Sequence, residues 1–272
     1  MREVDDALRR AYAQRTQSSA ASRVPPSPHW ISRGSESSPS KRFEPPREAP
    51  PALNPPSPAS ADRGVALRWP EVVMVLEREW GDRFEALADR LLEAKAERNV
   101  KVLLFTSRHR AEGRTTLVLT LARALARRPI KTLLVDADLS GPMLGGSLGV
   151  RPEVGLDDVV EDGRALADAL IEAPADRLWL LPMRSAVSRP RDFLSNPAWA
   201  CAMAQLRLDF DLVLLDGGPM FAGLTAATLH RSVDAAVLVH NRSVTGQPAI
   251  ERAREVLEAG GVPLLGLAET FA

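Results

Sequence analysis

Thr106-Ser107-Arg108-His109-Arg110-Ala111-Glu112-Gly113-Arg114-Thr115-Thr116 gathers basic side chains, hydroxyls and a glycine into one short stretch, a composition suited to holding an anion. A phosphate-binding loop of the form G-x-x-x-x-G-K-[ST] does this with backbone N–H groups, a lysine for the outer phosphates and a hydroxyl for magnesium. Gly113 and Thr115 stand at the second glycine and the hydroxyl, whereas Arg108 replaces the first glycine and Arg114 the lysine. Arginine presents a planar fork on a longer stem and lysine a compact point charge, so the exchange is not conservative. Anion binding survives it more readily than phosphoryl transfer does. Lysine is scarce throughout: Lys41, Lys95, Lys101 and Lys131 are the only ones among 35 basic residues, so composition alone could also have produced Arg114.

Two further segments carry carboxylates. Lys131-Thr132-Leu133-Leu134-Val135-Asp136-Ala137-Asp138 is an apolar run ending in two, and Asp211-Leu212-Val213-Leu214-Leu215-Asp216 is one ending in a third. Magnesium prefers hard oxygen ligands and keeps several waters. Carboxylates at strand ends near a threonine hydroxyl would suit such an ion shared with phosphates. Each segment alone is weak, because aspartate also ends strands as a turn residue.

The elements that must position these groups follow from apolar periodicity. Strands are expected over Val100 to Phe105, Lys131 to Val135, Leu178 to Leu181, Leu212 to Leu215, Ala235 to Val239 and Leu264 to Leu267, with a helix from Thr115 to Arg127. Strand, loop and helix in that order aim free N–H groups and the positive end of the helix dipole at an anion. The expected fold is an α/β P-loop NTPase with a mostly parallel doubly wound sheet, whose ligands sit at the carboxyl ends of the strands. Residues 65–98 read as an amphipathic helical lead-in: Pro70 suits a first helical turn, and Val73, Leu76, Trp80, Phe84, Leu87 and Leu91 form an apolar stripe. Residues 99–272 form the P-loop domain.

Residues 17–64 hold half of the 22 prolines, between Pro25 and Pro58, with serine and charges of both signs; this composition predicts a disordered linker. Trp30, Ile31 and Phe43 are possible docking points within it. Residues 1–16 contain a short helix, Glu3 to Arg15, with Val4, Leu8, Ala11 and Tyr12 on one face, either a partner-binding peptide or a frayed terminus. A formal net charge of zero with no basic half disfavours nucleic acid as a partner. The one cysteine, Cys201, excludes an internal disulfide and is expected in the core. No apolar run is long enough to span a bilayer and no signal peptide is evident, so a cytoplasmic protein is expected.

From about Asn99 onward the chain resembles the bacterial tyrosine kinases of polysaccharide export, in the P-loop superfamily of the septum-positioning and partitioning ATPases. The family loop T-S-x-x-P-G-E-G-K-S-T lies on Thr106 to Thr116, and D-A-D-L-R-R-P on Asp136 to Pro142. Gly155 to Val160 resembles G-L-S-D-V-L, Arg189 to Ser195 resembles N-P-x-E-L-L-x, and Asp211 to Pro219 is similar to D-x-V-I-I-D-T-P-P. Asp234 to Val239 resembles the strand that follows. The order is preserved over about 170 residues.

The resemblance implies ATP and Mg²⁺ as cofactors. Glu112, Gly113, Arg114, Thr115 and Thr116 would bind the nucleotide; Thr115, Asp136, Asp138 and Asp216 would serve the metal; Arg114, on phosphate, and Asp136, as base or metal-supporting group, would be catalytic. The departures are equally specific. Arg110 and Ala111 replace the loop's proline and glycine, the Asp-Ala pair after the third acidic strand falls on Thr225-Ala226, and the asparagine near the adenine falls on Thr270. The family phosphorylates a C-terminal tyrosine cluster, whereas the sequence here ends Leu267 to Ala272 and its single tyrosine is Tyr12. The expectation is a kinase-like, nucleotide-binding regulator of exopolysaccharide synthesis or export, catalytically impaired. It would work with a membrane-anchored chain-length or export protein at the inner face of the membrane and could form a homo-oligomer. Val4 to Ala11 resembles the start of many such kinases. One alternative is a non-catalytic scaffold of the same fold. Another is a partitioning or positioning ATPase, disfavoured because the lysine opening that subgroup's loop falls on His109.

Overall fold

The computed structural model describes residues 64–220 and 232–270. The expected N-terminal helix, almost all of the expected linker, Thr225 and Ala226 lie outside the described residues.

The six apolar runs become six parallel strands, and the three central ones, beginning at Val102, Thr132 and Leu212, are buried on both sides, which favours continuous Val/Leu sequence over alternation. They are β1 (Val102–Ser107), β2 (Thr132–Ala137), β4 (Leu178–Leu181), β5 (Leu212–Pro219), β6 (Ala235–Asn241) and β7 (Leu264–Thr270). A short strand that the sequence reading did not anticipate, β3 (Ile171–Ala173), pairs antiparallel with β4 at one edge. The resulting seven-stranded sheet has the order β3-β4-β2-β5-β1-β6-β7. β1 lies between β5 and β6, in register Phe105 to Asp216 and Phe105 to Val237. β2 pairs β5 with Asp136 opposite Asp216, so the carboxylates of two separate segments meet at one sheet end.

Strand residues alternate between two layers. Val102, Leu104, Leu133, Val135, Val213 and Leu215 face a core shared with helices α7 (Pro197–Asp209) and α8 (Gln247–Ala259). Leu103, Phe105, Leu134, Leu212 and Leu214 face α1 (Glu71–Arg98) and α2 (Arg114–Leu125), where Val118, Leu121 and Leu125 are fully buried. Each such side chain contributes roughly 1.5–3 kcal/mol of apolar transfer. Shorter helices α3 (Leu144–Ser147), α4 (Leu156–Glu161), α5 (Leu166–Ala169) and α6 (Pro190–Ser195) fill the connections between β2 and α7.

α1 packs along α2, the helix that follows the loop. Val73, Ala88, Leu91 and Ala94 are buried, and Arg123 reaches Glu77 at 2.7 Å while Arg128 reaches Asp89 at 2.6 Å. The predicted stripe breaks at one place: Trp80, with φ −128°, kinks the helix and turns outward, its ring covered by the Arg83 guanidinium at 4.2 Å. The strap before α1 is held by Asp176, which accepts from Trp69 Nε1 at 2.8 Å. Cys201, expected in the core, is exposed on α7, where Trp199, Ala202, Met203 and Leu206 supply the buried face instead.

Candidate functional site

β1 delivers the chain to the loop and α2 takes it away, so residues 108–113 must reverse direction within a few residues. Two positions do so with positive φ: Gly113, the residue before α2, at 79°, and Ala111 at 61°. Glycine adopts this conformation freely, whereas a Cβ costs about 1–2 kcal/mol there.

Glu112 is buried and ties the loop to the sheet. One carboxylate oxygen accepts from His109 N at 2.7 Å, and the other accepts from Asn241 N and the Thr245 hydroxyl. The Glu112 carbonyl accepts from the Thr270 hydroxyl at 2.7 Å. The side chain expected among the nucleotide-binding groups is therefore engaged with the loop's own His109 amide and the end of β6, and the residue's carbonyl with the end of β7. Thr270, at the position of the family's asparagine, is likewise engaged within the protein.

Arg114 is the largest departure from the sequence expectation. Its side chain, 9% exposed, turns into the acidic cluster, where its donors are taken up by protein acceptors. Nε donates to Asp216 Oδ1 at 2.9 Å, Nη2 to Asp138 Oδ2 at 3.3 Å and Nη1 to Ser107 Oγ at 2.8 Å. Thr115 donates its hydroxyl to Asp216 Oδ2 at 2.7 Å. Arg110, half exposed, forks onto both oxygens of Asp138 at 3.2 and 3.4 Å and reaches Ser140 Oγ at 2.8 Å. Asp136 accepts from Leu144 N at 2.9 Å and Asp138 N at 3.3 Å.

These residues surround a cavity of about 330 Å³ bounded by Arg110 to Thr116, Asp138, Gly141, Met143 and Asp216. Thus Glu112, Gly113, Arg114, Thr115, Thr116, Asp138 and Asp216 all border one space, with Asp136 behind them. Burial pushes the Asp136 carboxyl up to about 7, against the pull of the Leu144 amide, and the neighbouring Asp216 charge adds to the rise. Asp216 is also raised by burial, with Arg114 and Thr115 opposing.

The sequence reading missed Ser107, Arg110, Ser140 and Gly218 as parts of the cluster. A Cβ on Gly218 would stand 2.7 Å from Asp138 Oδ1, so glycine there leaves Asp138 room beside the arginines. The signal was available in part: Gly217-Gly218 occupies the place of T-P in the family's D-T-P-P.

An arrangement fit for magnesium needs carboxylate oxygens free to coordinate. Among the described residues no group of three or more His, Cys, Asp or Glu is arranged to hold a metal ion. All six oxygens of Asp136, Asp138 and Asp216 already accept hydrogen bonds from protein donors. The residues present do not fit the ion that the fold would imply.

Comparison with known proteins gives the lineage. No protein-family profile matches the chain. The tyrosine-protein kinase CpsD of Streptococcus agalactiae is 28% identical over 168 residues, covering 61% of this chain and 73% of its own. The kinase domain of VpsO superposes with a TM-score of 0.62 at 25% identity, over 72% of this chain and 98% of that one. Homologues of this chain are bacterial tyrosine-protein kinases. The cell division ATPase MinD of Pyrococcus furiosus shares the architecture more distantly, with a TM-score of 0.50 at 27% identity over 61% and 70% of the two chains. The mostly parallel P-loop-type sheet and the kinship expected from the loop and the acidic strands both hold.

Proposed function

We propose that the protein is a kinase-like, nucleotide-binding regulator of exopolysaccharide synthesis or export in which phosphoryl transfer is impaired. The observation that carries this reading is the direction of Arg114. A loop lysine stabilises charge on the transferring phosphoryl group, and that stabilisation requires the cation to face the phosphate. Here the cation is spent on Asp138, Asp216 and Ser107. The cavity at the N-terminus of α2 supports retained nucleotide binding, because the helix end offers amides to an anion without help from side chains. Kinship with tyrosine-protein kinases supports the polysaccharide assignment and a membrane-anchored export protein as partner. Among the described residues no helix is long and apolar enough to cross a membrane, in keeping with membrane contact through that partner.

The same direction of Arg114 favours, as second reading, a scaffold that no longer needs nucleotide at all. The discriminating experiment restores what is missing. Arg114→Lys returns the point charge, and Arg110→Pro with Ala111→Gly returns the family's loop backbone. ATP turnover and phosphorylation of a tyrosine polymer are measured for parent and triple variant. No turnover in the parent and measurable turnover in the variant is the expected outcome. Equal turnover in both would refute the impairment. Absence of turnover in both, with partner capture through residues 1–20, would replace the enzyme-like reading with the scaffold.

A further inference from the structure

We propose that Arg114 is a resident cation standing in for the divalent metal, so that this site takes a nucleoside di- or triphosphate free of magnesium. The inference rests on the nucleotide-binding reading above and adds the form of the ligand. Three observations carry it.

The first is occupancy of the acceptors. Asp216 uses one oxygen for Arg114 Nε and the other for the Thr115 hydroxyl. Asp138 uses Oδ2 for both arginines and Oδ1 for Arg110, Ser140 N and Ser140 Oγ. Asp136 accepts one backbone amide on each oxygen. A metal ion would compete with these donors, and a guanidinium that lost its partners in a buried position would be strongly unfavourable.

The second is charge balance. Arg110 and Arg114 carry two positive charges against the negative charges of Asp138 and Asp216, so the pair of ion pairs is neutral without any further cation. Magnesium holds its ligands in a near-ideal octahedron and would add two charges beside a fixed guanidinium.

The third is that the space is shaped for the arginine. Ser107, the last residue of β1, accepts from Nη1 while donating to the His109 carbonyl, and Gly218 leaves room for Asp138 to approach. Arg114 thereby uses Nε, Nη1 and Nη2 on three different residues, a pattern that a flexible surface arginine does not show. The phosphates would be left with the amides of Gly113, Thr115 and Thr116 and the exposed part of Arg110, none of which requires a metal to bind an anion.

The test is calorimetry of the full chain with ATP and with ADP, in magnesium and in excess EDTA, together with titration of Mn²⁺ alone followed by electron paramagnetic resonance. Affinities in the two buffers should agree within about threefold, and the parent should leave Mn²⁺ free. Affinity at least tenfold tighter in magnesium would overturn the inference while leaving nucleotide binding in place. Loss of binding in both buffers would instead overturn the nucleotide-binding reading, and the metal question is then decided by Mn²⁺: uptake by the parent overturns the resident cation, and its absence upholds it. Arg114→Lys, whose shorter reach frees acceptors on Asp216, should take up Mn²⁺ more tightly than the parent. The parent titrations stand by themselves should that variant fail to fold.

Discussion

Arg114 Nε and Asp216 Oδ1 lie 2.9 Å apart, joining the first residue of α2 to the end of the apolar run in β5. Both side chains are more than nine-tenths buried. A pair of this kind makes an acidic residue that reads as a ligand into part of the fold's support, because removal of either partner leaves an uncompensated buried charge.

Asp216→Asn is therefore expected to destabilise the domain by about 3–5 kcal/mol, as for one-sided removal of a buried ion pair. The sequence alone suggests otherwise: a carboxylate at a strand's end should carry function and be dispensable for folding. Urea denaturation decides between the two, and a midpoint unchanged from the parent would mean that the pair contributes nothing.

Ala111 offers a second measurable consequence. Its φ of 61° places a Cβ in the left-handed region, in the position the related loop gives to glycine. Ala111→Gly should raise stability by roughly 0.5–1 kcal/mol, once the extra chain entropy of glycine in the unfolded state is set against the relieved strain. Thermal unfolding of the single variant measures this, and a lower melting temperature would show that the loop is not strained there.

Much of the fold was legible because its signals are local. Val102 to Phe105, Leu133 to Val135 and Leu212 to Leu215 are apolar runs that only a doubly covered parallel sheet can bury. Ile171–Ala173 escaped notice because an edge strand of three residues has no room for a period. Trp80 and Cys201 differ from expectation for separate reasons: helical spacing fixes a face only while the helix stays regular, and α1 kinks at Trp80, whereas Cys201 was expected inside from its residue type although it lies off the α7 face that Trp199, Ala202, Met203 and Leu206 bury. In the site, residue types were legible and side-chain directions were not. That Arg114 would turn to Asp216 and Glu112 to Asn241 depends on distances between segments about a hundred residues or more apart.

Asp136 provides a pH dependence. Its carboxyl is raised from 3.8 to about 7 in the folded protein, chiefly by burial. The folded state thus holds this proton more tightly than the unfolded chain. The stability that the protonated carboxyl contributes is complete below about pH 4 and is lost as pH rises through about 7, to a total of roughly 4 kcal/mol. Parent and Asp136→Asn compared by urea denaturation at about pH 5 and about pH 8 should show the parent losing stability relative to the variant at the higher pH. A difference that does not change with pH would place the Asp136 carboxyl in an ordinary, solvated environment.

Nucleotide affinity is the last expectation, and it follows from what the loop keeps. Gly113 still caps α2, and Thr115 and Thr116 still border the cavity, so the amide cradle survives. The loop cation is committed to Asp216, Ala111 stiffens the turn, and Thr270 spends its hydroxyl on Glu112, which leaves the nucleotide with backbone contacts and Arg110. A dissociation constant of about 10 to 100 micromolar or weaker is expected for ATP, a binding free energy of roughly 7 kcal/mol or less. Isothermal titration calorimetry measures it directly. Nanomolar binding would mean that the amides and Arg110 alone hold the phosphates far more firmly than this geometry supports, or that Arg114 leaves Asp216 when nucleotide arrives. A crystal structure with bound nucleotide separates those two outcomes by the distance from Arg114 to Asp216.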